Sequence, residues 1–346
     1  LAASPARPAG FRTAMGWAWT VFGPFLGLAM ITAFFAVWTR QSGQFLSVDN
    51  WRTIAVHTVI VGTAALGMTI IIIAGGIDLS VGSTVALVTV CMALFIKKVD
   101  PLLPETLRAW HLSMPLAILL GIGLGGLCGA LNGALISGLR VVPFIITLGT
   151  YQIYRGLATW LASNSTVYVP ESMRPSWFGR IVAIDPEPRW LLVAPSVWML
   201  LGLSLALAII LRYSLLGRYA YAIGSNESTA RLCGINVPSM KVVIYALGGL
   251  ATGLAGVLEL ARLKVGTPTT ASGLELEAIA AVVIGGGSLS GGEGTVLGTL
   301  IGCLIIAVLR NGCVHANIPN AIQDIVIGII IIVAVTLDRL RRGHAS

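Results

Sequence analysis

Ala74-Gly75-Gly76-Ile77-Asp78-Leu79-Ser80-Val81-Gly82-Ser83 decides how the rest of this chain folds. It lies between two apolar runs, Val59 to Ile73 and Thr84 to Ile96, each long enough to matter to a membrane. Adjacent glycines end a helix readily, and Asp78, Ser80 and Ser83 are residue types that cap a helix N-terminus. The stretch therefore predicts a helix ending at Gly75-Gly76, a tight turn, and a new helix starting at Asp78 or Ser80. An aspartate this close to hydrocarbon is costly unless it meets water, a partner or the positive end of the new helix. Two readings follow: a capped turn at the membrane surface, or a broken helix lining a solute path.

A near-copy of the stretch lies 210 residues further on, at Ile284-Gly285-Gly286-Gly287-Ser288-Leu289-Ser290-Gly291-Gly292. Aligned on Leu-Ser, positions 75–82 and 285–292 share five of eight residues, and both sit between apolar runs. Glycine-interrupted apolar segments in corresponding halves of a chain mark the path of a transporter. Gly75, Gly76, Asp78 and Ser80, with Gly285, Gly286, Ser288 and Ser290, are the candidate path residues.

Of the 346 residues, 56% are hydrophobic and only 10% charged. Soluble domains carry about a quarter charged residues, so the mass of this chain belongs in a bilayer. The expected fold is all-α, a polytopic membrane helix bundle of about ten spans with glycine-interrupted segments, in one transmembrane domain over 1–346. The segments run at about 14–38, 51–74, 79–96, 114–138, 141–162, 190–211, 242–262, 274–287, 294–310 and 320–337. The first, Thr13 to Thr39, is long enough to stay as a span rather than be cleaved as a signal. In the fourth, Gly121, Gly125, Gly129 and Gly133 repeat every four residues, which puts small residues on one face for another helix to approach.

The net charge of +8 comes from basic residues scattered singly between apolar runs. They read as interfacial anchors against lipid and not as a nucleic-acid surface. Ten spans put both termini on one side. Arg7 and Arg12 before the first span, and Arg339, Arg341 and Arg342 after the last, place that side in the cytoplasm. The connectors 40–50, 97–113, 163–189, 263–273 and 311–319 are then extracytoplasmic.

Catalytic chemistry is missing from the pattern. The dipeptide Gly-Lys never occurs, so there is no phosphate-binding loop of the Walker A kind, and there is no G-x-S-x-G. The five cysteines form no C-x-x-C pair and fall mostly inside apolar runs, and the four histidines are isolated. Neither a metal site nor a cofactor is expected in this chain.

The hydrophilic loop 212–241 carries the remaining signal. Asn226 or Ser225 can cap a short helix with Glu227 in its first turn, Gly234 can end it, and Pro238 prevents its continuation. A helix of that length is unstable in water without a contact surface, whether its own protein or a partner. Ala230 and Gly234 are four apart, a small face on which a partner can settle. Glu227 and Arg231 are also four apart, in the order that supports a helix.

Gly-Gly-Ile-Asp-Leu-Ser-Val-Gly at 75–82, Ala-Val-Val-Ile-Gly-Gly-Gly-Ser-Leu-Ser-Gly-Gly at 281–292 and Gly-Ile-Asn-Val-Pro at 234–238 together carry a resemblance. From about residue 50 to 340 the chain resembles the membrane permeases of bacterial ABC sugar importers, in the ribose/xylose/galactofuranose branch. The resemblance implies an inner-membrane transport subunit, not an enzyme, that moves a monosaccharide by alternating access. It implies a second permease copy or close relative, a cytoplasmic ATP-binding protein that holds the ATP, and an extracytoplasmic sugar-binding protein. It also implies that the helix 225–234 in the cytoplasmic loop 212–241 is the coupling helix. Glu227, Ala230 and Gly234 are similar in spacing to the Glu-Ala-Ala-x-x-x-Gly docking motif of such permeases, from which Ser228 and Thr229 depart.

The alternative from the residues is an ion-coupled secondary transporter of a small polar solute, which needs intramembrane carboxylates. Asp78, Glu259 and Asp324 are available. Capping for Asp78, pairing with Arg262 for Glu259 and a span-end position for Asp324 explain each one structurally.

Overall fold

The computed structural model describes residues 9–40, 43–109 and 111–343. Fourteen α-helices are found among the described residues. They are α1 (Ala9–Trp38), α2 (Val48–Ile73), α3 (Val81–Val99), the short α4 (Glu105–Ala109), α5 (Ser113–Leu139), α6 (Pro143–Leu161) and the short α7 (Ser176–Arg180). There follow α8 (Pro195–Tyr213), α9 (Leu215–Ser225), α10 (Glu227–Leu232), α11 (Val237–Leu263), α12 (Leu274–Ile284), α13 (Val296–His315) and α14 (Asn320–Gly343). Ten of them fill the ten apolar segments, and α4, α7, α9 and α10 belong to connectors. The fold is an all-α bundle of membrane helices.

Local chemistry starts these helices where they start. Ser47 caps α2 by accepting from Asn50 N at 3.2 Å, and Thr295 caps α13 by accepting from Gly298 N at 3.0 Å. Pro143 and Pro195 open α6 and α8, where a missing N–H costs nothing. Among the described residues α2, α5, α8, α11 and α13 are long and apolar enough to cross a membrane unaided. α12 has 11 residues, a length of about 16 Å against a hydrocarbon core of about 30 Å. The eighth apolar segment is thus a half-length helix followed by a glycine-rich turn.

α2 is the axis of the bundle. It is hydrophobic all round because α8, α11, α12 and α13 surround it, and most of its side chains from Val56 onward are buried. α11 lies along α5 at the glycine repeat: a Cβ on Gly133 would stand 2.7 Å from Val242 Cα, and Gly125 and Gly129 meet Gly249 in the same way. The spacing of four in α5 is therefore a helix-packing face, occupied by α11.

Contacts sort the connectors onto two ends. Asn50 donates to Asn311 Oδ1 at 2.9 Å, and Arg52 reaches Leu192 O at 2.9 Å. Strands β1 (Val167–Tyr168) and β2 (Val265–Gly266) pair antiparallel, and Gly266 closes on Thr89 and Ala93 of α3. The connectors 43–50, 97–109, 163–189 and 311–319 thus share one end with β2, the strand end, while the stretch after β2 runs inward along α3, where a Cβ on Gly82 would collide with Ala271 O. The turns 74–80 and 285–295, the α5–α6 link and the loop 212–241 share the other, the glycine end.

Candidate functional site

Both glycine turns are Schellman motifs, the helix ending in which a left-handed residue lets two N–H groups reach back to free carbonyls. In the first, Gly75 N donates to Ile72 O and Gly76 N to Ile71 O, both at 2.9 Å. In the second, Gly286 N donates to Val283 O at 2.9 Å and Gly287 N to Val282 O at 2.8 Å. The left-handed residues are Gly75 (φ +76°) and Gly286 (φ +91°). By helix ending Gly75 matches Gly286, one residue off the alignment on Leu-Ser. The second copy is one residue shorter between its helix end and Leu289.

The companion glycines serve a different need. A Cβ on Gly76 would collide with the Tyr245 hydroxyl, and one on Gly285 with Gly298 O of α13. In each pair, then, one glycine turns the chain and its neighbour admits another element.

The two turns meet each other. Gly292 N donates to Ile73 O at 2.8 Å, satisfying a carbonyl that the end of α2 leaves free. A Cβ on Gly291 would lie 2.8 Å from Gly75 Cα and 2.7 Å from Gly224 O. Gly224 belongs to α9, inside the loop 212–241, and a Cβ on it would overlap Ile73 O. Tyr221 of the same helix donates to Gly294 O at 2.8 Å. Three backbones therefore touch at one point: the end of α2, the turn before α13 and the helix α9.

Beside this point Asp78 is buried. Its Oδ1 accepts from Ser80 N at 2.8 Å and from Ser80 Oγ at 2.6 Å. Asn132 of α5 donates to Ser80 Oγ at 2.9 Å and stands 3.4 Å from both carboxylate oxygens. Tyr154 of α6 donates to Cys128 O at 3.0 Å and reaches Asn132 Oδ1 at 3.3 Å. Thr147 and Tyr245 both donate to Ile77 O, at 3.2 and 3.4 Å. α2 and α3 do not pack side by side; α3 turns away to α5, α6 and α11. In the second turn Ser288 is buried and Ser290 exposed. Ser290 N lies 3.4 Å from Ser288 Oγ, and Gly291 N donates to Ser288 O at 2.9 Å.

α10 starts where its capping residue predicts: Asn226 accepts from Thr229 N at 2.9 Å. It ends at Cys233, and Gly234 follows in the left-handed conformation at φ +84°. Glu227 pairs with Arg231 at 3.1 Å and with Lys241 of α11 at 2.7 Å. Ala230 is turned inward, packed with Ile223 and Val237. The supposed contact face of Ala230 and Gly234 is thus split: Ala230 meets its own protein and Gly234 is exposed. Outward stand Thr229, Arg231 and Leu232, and Leu232 is 88% exposed.

Of the three carboxylates of the ion-coupled alternative, Glu259 and Asp324 line one cavity and Asp78 stands apart from it. Asp78 lies at the glycine end. Glu259 pairs with Arg262 at 2.9 Å and Asp324 with Arg310 at 3.1 Å, both toward the strand end. Among the described residues no group of three His, Cys, Asp or Glu side chains could hold a metal.

Asn132, Tyr154, Tyr245 and Gly224 were not picked out from sequence. Asn132 carried a usable signal, a lone amide in an otherwise apolar span. Gly224 carried none, because its partners lie far away in the chain.

Residues 50–335 match the family described as the permease component of the branched-chain amino acid transport system. The chain belongs to that family. Its relatives include the ribose import permease protein RbsC of Escherichia coli (strain K12), 36% identical over 318 residues that cover 91% of this chain and 93% of the relative. The ribose import permease protein RbsC of Bacillus subtilis (strain 168) is 38% identical over 320 residues, 92% of each chain. The fructose import permease protein FrcC of Rhizobium meliloti is 32% identical over 323 residues, 92% of this chain and 86% of the relative. No solved structure matches. As an ABC-importer permease the chain is a multi-pass inner-membrane transport subunit, not an enzyme. Such permeases work with separate ATP-binding and substrate-binding proteins.

Proposed function

We propose that this chain is the transmembrane subunit of an ATP-driven importer that carries a monosaccharide into the cytoplasm by alternating access. The observation that carries the reading is the three-way contact of α2, the 285–295 turn and α9 at Gly75, Gly224 and Gly291. A push on the loop 212–241 is felt directly at the ends of two membrane helices. α12 extends that lever, since its half-length body runs from the glycine turn toward the strand end.

The glycine end faces the cytoplasm in this reading, with both termini on that side. α10 docks a cytoplasmic ATP-binding protein, which holds the ATP, while this chain needs no cofactor. A second permease, identical or closely related, completes the pathway. An extracytoplasmic sugar-binding protein delivers solute at the strand end. The monosaccharide is favoured over a branched-chain amino acid because the relatives named above are permeases for sugars. The candidate path residues at 75–80 and 285–290 then act as the moving joint.

The test is uptake into liposomes holding the permease with its ATP-binding and solute-binding proteins, against a panel of ribose, allose and fructose. ATP-dependent accumulation of one of them is expected. Accumulation without ATP, driven by a proton or sodium gradient, overturns the reading. Single cysteines at Ser176 and Ser228 in a cysteine-free background should label from opposite sides, with Ser228 reached only from the cytoplasm.

A further inference from the structure

The stretch between β2 and α12, residues 267–273, is neither helix nor strand. It runs inward along α3: Gly266 closes on Thr89 and Ala93, and Ala271 O reaches Gly82. The seven residues of α3 from Thr89 back to Gly82 cover about 10 Å, so this strap descends well into the span. The start of α3 itself lies inside the bundle, since Ser80 Oγ accepts from Asn132, seven residues short of the end of α5.

At Ala271 and Ser272 the strap lines the cavity among α2, α11, α12, α13 and α14, where Arg310 pairs with Glu277 and Asp324. α6 holds it as well. Arg155 Nη1 donates to Thr270 O at 2.9 Å and also to Pro268 O. Thr269, between those two carbonyls, is exposed, and its hydroxyl lies 3.2 Å from that of Thr267.

α6 continues this polar face. Gln152 stands one turn from Arg155 and is the tenth of 19 residues in α6, midway along the span. It is exposed. A Cβ on Gly149 or on Gly156, which flank it, would find nothing within 4 Å, so no other element of this chain covers that face. α8 offers the contrast. Its exposed side chains between its ends, Trp198, Met199, Leu201, Leu205, Ala206 and Ile209, are all apolar, as lipid requires.

The face of α6 does not suit lipid. An amide moved from water into hydrocarbon without a partner costs about 4–8 kcal/mol. Irregular backbone at membrane depth persists only inside protein or against water, and Thr269 shows that the strap is not fully covered.

We propose that Gln152 of α6, with Thr267 and Thr269 of the strap that Arg155 holds beside it, forms one wall of a water-filled path along which the solute crosses. The proposal rests on the reading of the chain as a monosaccharide importer, whose second permease supplies the opposite wall. This wall presents an amide and two hydroxyls, each able to donate and to accept, and no carboxylate. Such groups exchange hydrogen bonds with water and with a neutral hydroxylated solute, and they give a cation no counter-charge.

The test compares Gln152→Cys and Thr269→Cys with Leu205→Cys, the lipid-facing control, in a cysteine-free complete importer. Gln152 and Thr269 are exposed, so cysteine at either leaves the packing intact. A small charged thiosulfonate is applied with and without ATP. It attacks the thiolate, which apolar surroundings suppress. In at least one of the two states the thiols at 152 and 269 should react about tenfold faster than the one at 205. The transported monosaccharide at saturating concentration should slow both reactions, and leucine should not. A thiol at 152 as slow as the one at 205 in both states overturns the path. Gln152→Cys chains that an oxidant links to a second copy, with no reaction from water, overturn it too and make this face the contact between permeases. Fast reactions that the accumulated monosaccharide fails to slow also overturn it, while the importer reading survives. If the native complex accumulates none of the panel, that reading has failed, and the comparison of 152 with 205 still decides whether the wall meets water.

Discussion

The two ends of this permease are built from opposite materials. At the glycine end main chains touch: Ile73, Gly75, Gly224 and Gly291 meet without a side chain between them, and a buried carboxylate, Asp78, is held by Ser80 and Asn132. At the strand end side chains do the joining, through ion pairs around an open cavity that leave Glu259 Oε2 and Arg310 Nε unspent. Backbone contact at van der Waals distance transmits displacement because neither partner can yield without moving a whole helix. Charged side chains around a cavity adapt to a guest. In the proposed reading, force enters at the glycine end and solute at the strand end.

The largest expected effect breaks the force-bearing contact. Gly224→Val pushes a branched side chain into Ile73 O and Gly292 N and separates the hydrogen bond between them. The cost should exceed the about 1–3 kcal/mol of ordinary overpacking, because the neighbours are backbone. Membrane yield and monodisperse protein on size exclusion should collapse. Native yield with native transport would show that the two turns and α9 are not in firm contact.

Asp78→Asn comes next and separates the two readings of its turn. If Asp78 merely closes the turn onto Ser80, asparagine serves nearly as well. In the structure the carboxylate also faces the amide of Asn132, and an asparagine there sets donor against donor. A buried unmade hydrogen bond costs about 1–3 kcal/mol, so uptake should fall about tenfold. Uptake within twofold of native would return Asp78 to a plain turn.

Much of this end was legible in the sequence, and its failures are instructive. Glycine pairs after apolar runs announce helix ends because the requirement is local: a left-handed residue and two N–H groups near their own carbonyls. Asn226 and Gly234 bracketed α10 for the same reason. The repeat in α5 announced a packing face but could not name α11, since small residues state only that something comes close. Ala230 was misread because a small residue on a short helix fits its own protein as well as a partner. The half-length α12 read as a full segment because the glycine turn after it is also apolar. The cavity was invisible: Glu277, Arg310 and Asp324 come from three helices and meet only in the fold.

Gly75→Ala is a milder and cleaner test than Gly224→Val. A Cβ there finds Gly224 Cα at 3.7 Å and Ser290 O at 4.0 Å, which is ordinary contact. Only the left-handed backbone objects, at about 1–2 kcal/mol. Thermal stability should drop modestly and uptake severalfold, with the complex still assembled. An unchanged melting temperature would mean that the turn relaxes and that its conformation is not what the glycine supplies.

Leu232→Ser should leave stability untouched and still matter. Leu232 is 88% exposed at the outer rim of the glycine end, so serine there removes no internal packing. Surface changes of this kind fall within about 0.5 kcal/mol of native stability. A large apolar side chain projecting from a six-residue helix gains nothing for the permease alone, whereas burial against a partner removes its apolar surface from water. The inward turn of Ala230 leaves Leu232, with Arg231 beside it, as the apolar contact α10 can offer an ATP-binding protein. A permease with Leu232→Ser should therefore melt at the native temperature, bind its ATP-binding protein more weakly and lose ATP-driven uptake in proportion. Ala230→Trp should instead lower the melting temperature, because it crowds Ile223 and Val237. If Leu232→Ser binds and transports like native protein, α10 does not dock through this side chain, and the force must enter α9 by another part of the loop.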